Sequence, residues 1–331
     1  MKIFSPDKLF ALLIILSVCC LPARAQTAFK SLNYLYSISG KKTVAGIHNR
    51  EPNAIPSLWT DSITVLSGKT PALWSGDFLF LTDDIKARWT LIYEAEKAWE
   101  KGSLVNIMWH TCSPANAEPC LWDDKGVLDE LSDEEWTSLI TDGQKLNQVW
   151  KTRLDDIATY LQYLEDRKVE VLFRPFHEMN QPVFWWAGRK GSNGTARLFQ
   201  ITRDYLQMEK GLDNLIWVWD VQDFETLDKD LEDYNPGNDY WDILALDMYG
   251  SDQKGYTLDK YNACLKVAGP KPLAIGECQQ LPTIKELNGQ PRWTFFMSWA
   301  ELTVKHNTLE QIKELYEAPK VITLEEMSGW K

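Results

Sequence analysis

The feature that most constrains the fold is a regular alternation of short apolar runs with helix-like stretches along this 331-residue chain. Most of the runs are almost continuously apolar, which is typical of parallel strands buried on both faces. The eight candidate strands lie at 43–46, 71–75, 104–109, 169–173, 215–219, 243–247, 272–276 and 293–298. The main helix-like stretches lie at 84–101, 133–167, 195–211, 258–268 and 309–316.

An eightfold strand–helix alternation over roughly 300 residues predicts one α/β domain, a (β/α)8 TIM barrel over residues 26–331. A doubly wound open sheet is the alternative. That fold usually carries a glycine-rich phosphate loop after its first strand, and no such loop follows any of the candidate strands. The pattern therefore favours the barrel.

Residues 1–25 have the pattern of an export signal. Lys2 precedes an apolar run at 9–21, and Ala23-Arg24-Ala25 gives the small-x-small pattern of a cleavage site. A bacterial lipoprotein box ending at Cys19 is the alternative export route. We therefore expect a secreted, periplasmic or cell-envelope protein with no transmembrane segment in its mature chain.

Composition narrows the class of partner. A net charge of −12 disfavours a nucleic-acid partner, because phosphate binding needs clustered Lys and Arg. Sixteen tryptophans provide flat faces that can stack on neutral sugar rings as well as fill a core. Cys112 and Cys120 bracket a short loop, so a local disulfide is plausible in an exported protein. We expect a monomer.

Polar and aromatic side chains recur where the candidate strands end. In a barrel of this type, the carboxyl ends of the strands and the following loops form the active site. His110, Glu178 and Glu277 follow the third, fourth and seventh strands, while Tyr249 and Trp299 follow the sixth and eighth. We therefore expect these side chains to converge at one mouth of the barrel.

Two glutamates at buried strand ends predict cleavage of a glycosidic bond, which needs one proton donor and one carboxylate. Glu178 lies among apolar neighbours such as Phe176 and Met179, and such surroundings raise a carboxyl pKa. It is therefore the candidate general acid. Glu277 is the candidate nucleophile, with the Tyr249 phenol as a hydrogen-bond donor that could position it.

The run Arg174-Pro175-Phe176-His177-Glu178-Met179-Asn180, followed by Phe184-Trp185-Trp186, resembles the acid/base motif of glycoside hydrolase family 26. Ile275-Gly276-Glu277 and Asp247-Met248-Tyr249 resemble its nucleophile and tyrosine segments. The resemblance implies a retaining endo-β-1,4-mannanase that uses neither a cofactor nor a metal. It implies Glu178 as acid/base and Glu277 as nucleophile. The substrate-binding residues that it implies are His110, Trp122, His177, Phe184, Trp185, Tyr249 and Trp299.

Two positions depart from the family pattern. Gln181 stands where the family usually has Gly, and Val183 where it usually has Trp. Loss of an indole so near the acid should alter stacking, so the linkage and chain-end preference stay open. The alternatives are an exo-acting mannobiohydrolase, a β-1,3-xylanase, a mixed-linkage β-glucanase and a non-catalytic sugar-binding protein.

Overall fold

The computed structural model describes residues 27–327 and 329–331, and the predicted signal peptide at 1–25 lies outside them. The eight barrel strands, β1–β8, are Thr43–His48, Leu73–Asp77, Leu104–Met108, Val171–Arg174, Leu215–Gln222, Ile243–Met248, Leu273–Cys278 and Trp293–Trp299. A short β9, Val321–Ile322, pairs with β1 beside the barrel. The architecture confirms the predicted (β/α)8 barrel.

All eight strands run parallel, and each pairs with its neighbours in sequence order. β1 pairs with both β2 and β8, which closes the sheet. Closure gathers the carboxyl ends of the strands around one mouth. The connecting segments after those ends therefore supply one shared site.

Twelve α-helices, α1–α12, surround the barrel in the described residues: Lys30–Ile38, Leu58–Ser67, Thr82–Lys86, Arg88–Lys101, Asp133–Ile140, Lys145–Asp166, Thr195–Asp204, Leu227–Asp233, Leu258–Ala268, Ile284–Gly289, Ala300–His306 and Leu309–Tyr316. A π-helical turn, Tyr205–Glu209, extends α7, and a 3-10 turn, Leu324–Glu326, follows β9. In the described part of the chain, none of the helices has both the length and the apolar character needed to cross a bilayer.

Several predicted boundaries were wrong. The stretch predicted as one helix over 133–167 is two helices, α5 and α6, because the chain turns at Gly143 in a left-handed conformation (φ 76°). The fourth strand begins and ends later than predicted, so Arg174 belongs to it. α1 was not predicted, although its buried Leu32 and Leu35 belong to the same hydrophobic cluster as the barrel interior.

Strand alternation separates the two cores. On β4, Leu172 faces the barrel interior, whereas Val171 and Phe173 pack in the cluster beneath the helices. Arg174 is the next interior position after Leu172. The alternation therefore carries a charged side chain into the barrel, directly below the mouth.

Candidate active site

Glu178 lies on a strained turn just after β4. Its backbone is left-handed (φ 47°), a conformation that costs an L-residue about 1–2 kcal/mol. Two hydrogen bonds hold the turn: the Glu178 amide donates to Asp220 Oδ1 at 3.0 Å, and the Gln181 amide donates to the Glu178 carbonyl at 2.8 Å. The turn directs the carboxyl of Glu178, a residue with only 5% exposure, toward the barrel mouth.

Glu277 reaches the same mouth through a β-bulge in β7. Leu246 pairs with Ile275 and Asp247 pairs with Glu277, so the register skips Gly276. Ala274 faces the barrel interior, and successive side chains of a regular strand alternate between its two faces. Without the register shift, the side chain of Glu277 would therefore point away from the interior. The bulge therefore turns Glu277 into the site. Cys278 packs on the helix side as a buried free thiol.

Both oxygens of Glu277 are held. Arg174 Nη2 donates to Oε1 at 2.6 Å, and the Tyr249 hydroxyl donates to Oε2 at 2.7 Å. Burial and the neighbouring Glu277 charge raise the pKa of Tyr249 well above its ordinary value, so the phenol keeps its proton. The contacts fix the direction of the carboxylate and favour its charged form.

The two glutamates meet across the mouth. One carboxylate oxygen from each of Glu178, Asp247 and Glu277 lies within 4.8 Å of the other two. Retaining glycosidases hold their catalytic carboxyls about 5–5.5 Å apart, whereas inverting enzymes need roughly 6.5–9.5 Å to admit a water. The spacing is therefore shorter than the inverting arrangement needs and close to that of retaining enzymes.

The surroundings of the two carboxyls differ. Burial, followed by the nearby charge of Glu277, raises the pKa of Glu178 to about 8, so it holds a proton at neutral pH. Burial also raises the pKa of Glu277, but the Arg174 cation and the Tyr249 hydrogen bond oppose that rise. The pair thus combines a protonated donor with an ion-paired carboxylate, which is the division of roles that glycoside cleavage needs.

Arg174 ties three strands to this arrangement. Besides Glu277 on β7, its guanidinium donates from Nη1 to Asp220 Oδ2 on β5 at 2.7 Å and to Asp247 Oδ1 on β6 at 3.0 Å. Its side chain is 1% exposed, so the buried cation balances buried carboxylates. Burial and the charges of Asp220 and Glu277 hold the pKa of Asp247 well above its usual range.

The three carboxylates of Glu178, Asp247 and Glu277 are also the group in the described residues that could hold a metal ion. The Arg174 guanidinium already donates to two of the three and supplies positive charge there. The expectation of metal-free, cofactor-free catalysis remains a prediction. We expect hydrolysis to be unchanged in excess EDTA, and a loss restored by added Mg²⁺, Ca²⁺ or Zn²⁺ would contradict it.

Two predicted histidines line the side of the mouth next to Glu178. The rings of His110 and His177 lie 4.2 Å apart between centroids, and His110 Nδ1 bonds Asp77 Oδ2. Burial and the neighbouring His110 lower the pKa of His177 well below its ordinary value, so its imidazole is neutral. Its Nδ1 is buried without a hydrogen-bond partner among the described residues.

A cavity of about 400 Å³ opens beside these histidines. His110, Trp122 and Trp299 line it, together with His48. Trp122 is 52% exposed at the rim. Trp299 stacks on His48 at 4.2 Å between ring centroids and 20° between planes. Aromatic walls with a few polar groups are typical of a site for sugar rings.

Phe184 and Trp185 have different positions. Phe184 packs edge-on to His177 at 4.8 Å and to Trp122 at 5.8 Å, so it lies against the site. Trp185 is buried, donates its indole N–H to the Thr111 carbonyl at 2.7 Å and packs on Trp150. The indole N–H and one ring contact of Trp185 are thus used in packing, and its contact with substrate remains a prediction.

Gln222 and Asp77 are among the site residues that the sequence analysis did not identify. Gln222 donates to Glu178 Oε1 at 2.5 Å, and Asp77 holds His110. The signal for Gln222 was its position two residues after Asp220 on one strand, which places both side chains on the same face. The signal for Asp77 was its position as a polar residue at the end of β2.

A sequence profile of glycosyl hydrolase family 26 matches residues 21–326 of this chain. The chain belongs to glycosyl hydrolase family 26. The resemblance drawn from the motif around Glu178 is thereby confirmed.

Among its relatives, a mannan endo-1,4-β-mannosidase of Thermothelomyces thermophilus is 30% identical, over 94% of this chain and 63% of that protein. Mannan endo-1,4-β-mannosidase A and B of Caldalkalibacillus mannanilyticus is 28% identical, over 81% of this chain and 55% of that protein. The chain thus spans less than two thirds of the length of these curated relatives.

Solved family 26 structures share the fold. GH26A from Muricauda sp. MAR_2010_75 is 36% identical and superposes with a TM-score of 0.84, over 89% of this chain and 95% of that one. A GH26-CBM35 β-(1,4)-mannanase of Podospora anserina is 28% identical with a TM-score of 0.74, over 91% of this chain and 66% of that one.

Proposed function

We propose that this chain is a retaining endo-β-1,4-mannanase acting on mannan, galactomannan or glucomannan. The observation that carries the proposal is the pair of carboxyls, Glu178 and Glu277, with oxygens within 4.8 Å of each other, the first held by neutral amides and the second by a guanidinium and a phenol. Family 26 membership and the mannanase names of its relatives support the choice of glycan.

In the first step, Glu178 donates its proton to the glycosidic oxygen while a Glu277 oxygen bonds to the anomeric carbon. The bond between that carbon and the leaving oxygen breaks, which gives a glycosyl-enzyme. In the second step, the Glu178 carboxylate takes a proton from water, whose oxygen displaces Glu277. Two displacements restore the starting anomeric configuration.

The remaining predicted residues bind the sugar around this axis. His110 and His177 hydrogen-bond hydroxyls next to the attacked carbon, and Tyr249 keeps Glu277 aligned for attack. Trp299, Trp122 and Phe184 supply aromatic walls. The 400 Å³ cavity beside His110 accommodates the sugars on one side of the scissile bond.

The proposal is tested with a panel of mannan, galactomannan, glucomannan, β-1,3-xylan and mixed-linkage β-glucan, each followed by ¹H NMR of the first product. We expect hydrolysis of the mannans with initial release of the β-anomer. Chromatography of early products separates internal from chain-end cleavage, since internal cleavage of long mannan gives oligosaccharides of mixed length. Exclusive release of a disaccharide, initial release of the α-anomer, or activity on xylan alone would contradict the proposal.

We further propose that residues 1–25 are an export signal, that 26–331 form the catalytic domain, and that the enzyme acts outside the cytoplasm as a monomer. The charge and cleavage pattern of the leader and the Cys112–Cys120 disulfide support this assignment. N-terminal sequencing of exported protein and sedimentation analysis test it. A mature protein starting before residue 20, or a stable dimer, would contradict it.

A further inference from the structure

Side-chain amides occupy both carboxyl oxygens of Glu178. Gln222 Nε2 donates to Oε1 at 2.5 Å, and Gln181 Nε2 donates to Oε2 at 2.9 Å. Each carboxyl oxygen has two acceptor sites, so each keeps one after these contacts. The amides therefore hold Glu178 without taking the position from which its proton leaves.

Gln222 is a fixed support at the end of β5. Its side-chain carbonyl accepts from the Asp223 amide at 3.2 Å, which turns its NH₂ group toward Glu178. Asn180 clamps its backbone, accepting from the Gln222 amide at 2.7 Å and donating to the Gln222 carbonyl at 3.0 Å. The side chain is also buried. These contacts give one amide orientation.

Gln181 reaches Glu178 by a different route. It is the fourth residue of the strained turn, whose closing hydrogen bond runs from its own amide to the Glu178 carbonyl at 2.8 Å. The turn brings its side chain back over the acid. Gln181 is only partly buried at the mouth of the site. Its replacement should therefore change the hydrogen bond to Glu178 and leave the core intact.

We propose that Gln222 and Gln181 are positioning residues for the acid/base carboxyl: Gln222 fixes its direction, and Gln181 sets the pH at which hydrolysis fails on the alkaline side. The inference rests on the proposed function, in which Glu178 acts as proton donor. One of the two residues, Gln181, is a position at which this chain departs from the family pattern.

The physical basis is a balance at one buried carboxyl. Burial and the charge of Glu277 raise the pKa of Glu178, and the hydrogen bond from Gln181 opposes that rise because it stabilises the carboxylate. The charged and titratable groups that face Glu178 from the surrounding strands and loops include Arg174, Asp220, Asp247, Tyr249 and Glu277, and the rings of His110 and His177 lie on the same side of the mouth. Hydrogen bonds from Arg174 and Tyr249 hold the carboxylates of Asp220, Asp247 and Glu277. A substitution at Gln181 therefore leaves these groups in place.

The experiment compares wild type with Gln181→Ala and Gln181→Glu in the pH dependence of kcat/KM on a mannan oligosaccharide. Loss of one hydrogen bond to the carboxylate should move the alkaline limb of Gln181→Ala upward by about 0.4–1 pH unit. Gln181→Glu should move it further, since an ionised carboxylate cannot donate and adds like charge. The control is Gln148→Ala, an exposed glutamine on α6, with an unmoved limb.

For Gln222→Ala we expect kcat on polysaccharide to fall at least about tenfold with KM little changed, because the acid is misdirected and sugar contacts remain. An unmoved alkaline limb in both Gln181 variants, or a kcat of Gln222→Ala within twofold of wild type, would overturn the inference. Hydrolysis of mannan by the wild-type enzyme would still support the proposed function in that case. A ¹³C NMR titration of the Glu178 carboxyl in wild type, Gln181→Ala and Gln181→Glu tests the predicted order of their titration midpoints without turnover. Equal midpoints in these three proteins would overturn the inference.

Discussion

At the scale of single residues, the two glutamates differ in what their oxygens contact. Glu277 receives a guanidinium and a phenol, whereas Glu178 receives two neutral amides. A full positive charge beside a carboxyl favours its ionised form much more strongly than a neutral donor does. The proposed roles of nucleophile and acid/base follow from that difference.

Replacement of Glu178 should depend on the leaving group. Glu178→Ala is expected to lose about 10²–10⁴-fold in kcat/KM on mannan, because general acid catalysis is removed. Formation of the glycosyl-enzyme from an activated aryl β-mannoside, whose leaving group needs no proton, should be much less affected. Burst kinetics with both substrates measure this. Glu277→Ala is the matched variant and should lose both activities; equal losses on both substrates in Glu178→Ala would exclude an acid role.

The pKa shifts predict a bell-shaped pH profile. As pH rises through about 8, Glu178 loses the proton that it must donate, so kcat/KM should fall. As pH falls, Glu277 is protonated and cannot attack; since its pKa is raised, this limb should lie above the ordinary value for glutamate. Steady-state kinetics across the pH range check both limbs. A profile that stays flat well above pH 8 would contradict the role of Glu178.

At the scale of elements, the bulge in β7 determines where Glu277 points, and Gly276 makes the bulge possible. A Cβ at this position would lie 2.4 Å from Asp220 Oδ2 and 2.5 Å from Asp247 Oδ1, both of which bind Arg174. The interior of the barrel therefore accepts only glycine here.

Gly276→Ala should lower the free energy of unfolding by about 1–3 kcal/mol through overpacking, and should also reduce activity because the carboxylates around Arg174 are displaced. Urea unfolding followed by fluorescence, with kcat measured in parallel, gives both quantities. Gly289→Ala is the matched control, since a Cβ there meets nothing within 4 Å. Wild-type stability and activity in Gly276→Ala would contradict this account of the bulge.

The elements were predictable from sequence to different degrees. The strands were predictable because burial on both faces leaves a nearly continuous apolar run in the sequence. The ends of these runs then located Glu178 and Glu277. The bulge left no such signal, since it arises from pairing between β6 and β7. The packing of Trp185 likewise depends on Trp150 and on the Thr111 carbonyl, which are distant in sequence.

At the scale of the whole molecule, barrel closure makes a site from groups far apart in the chain. Arg174, Asp220, Asp247 and Glu277 come from four consecutive strands and form one buried network. The net charge of −12 and the aromatic cavity suit a neutral polymer. The contacts of Gln181 and Gln222 could not be foreseen, because they depend on a strained turn meeting the end of β5.

The central claim is that Glu277 bonds to the sugar while Glu178 supplies and removes protons. Its most direct test is mass spectrometry of Glu178→Ala after incubation with an aryl β-mannobioside bearing a good leaving group, since the second step is then slow. We expect one added mannobiosyl group, located by peptide mapping on Glu277 and absent when Glu277 is also replaced by Ala. A sugar found on another residue, or the same adduct in the double variant, would contradict the account.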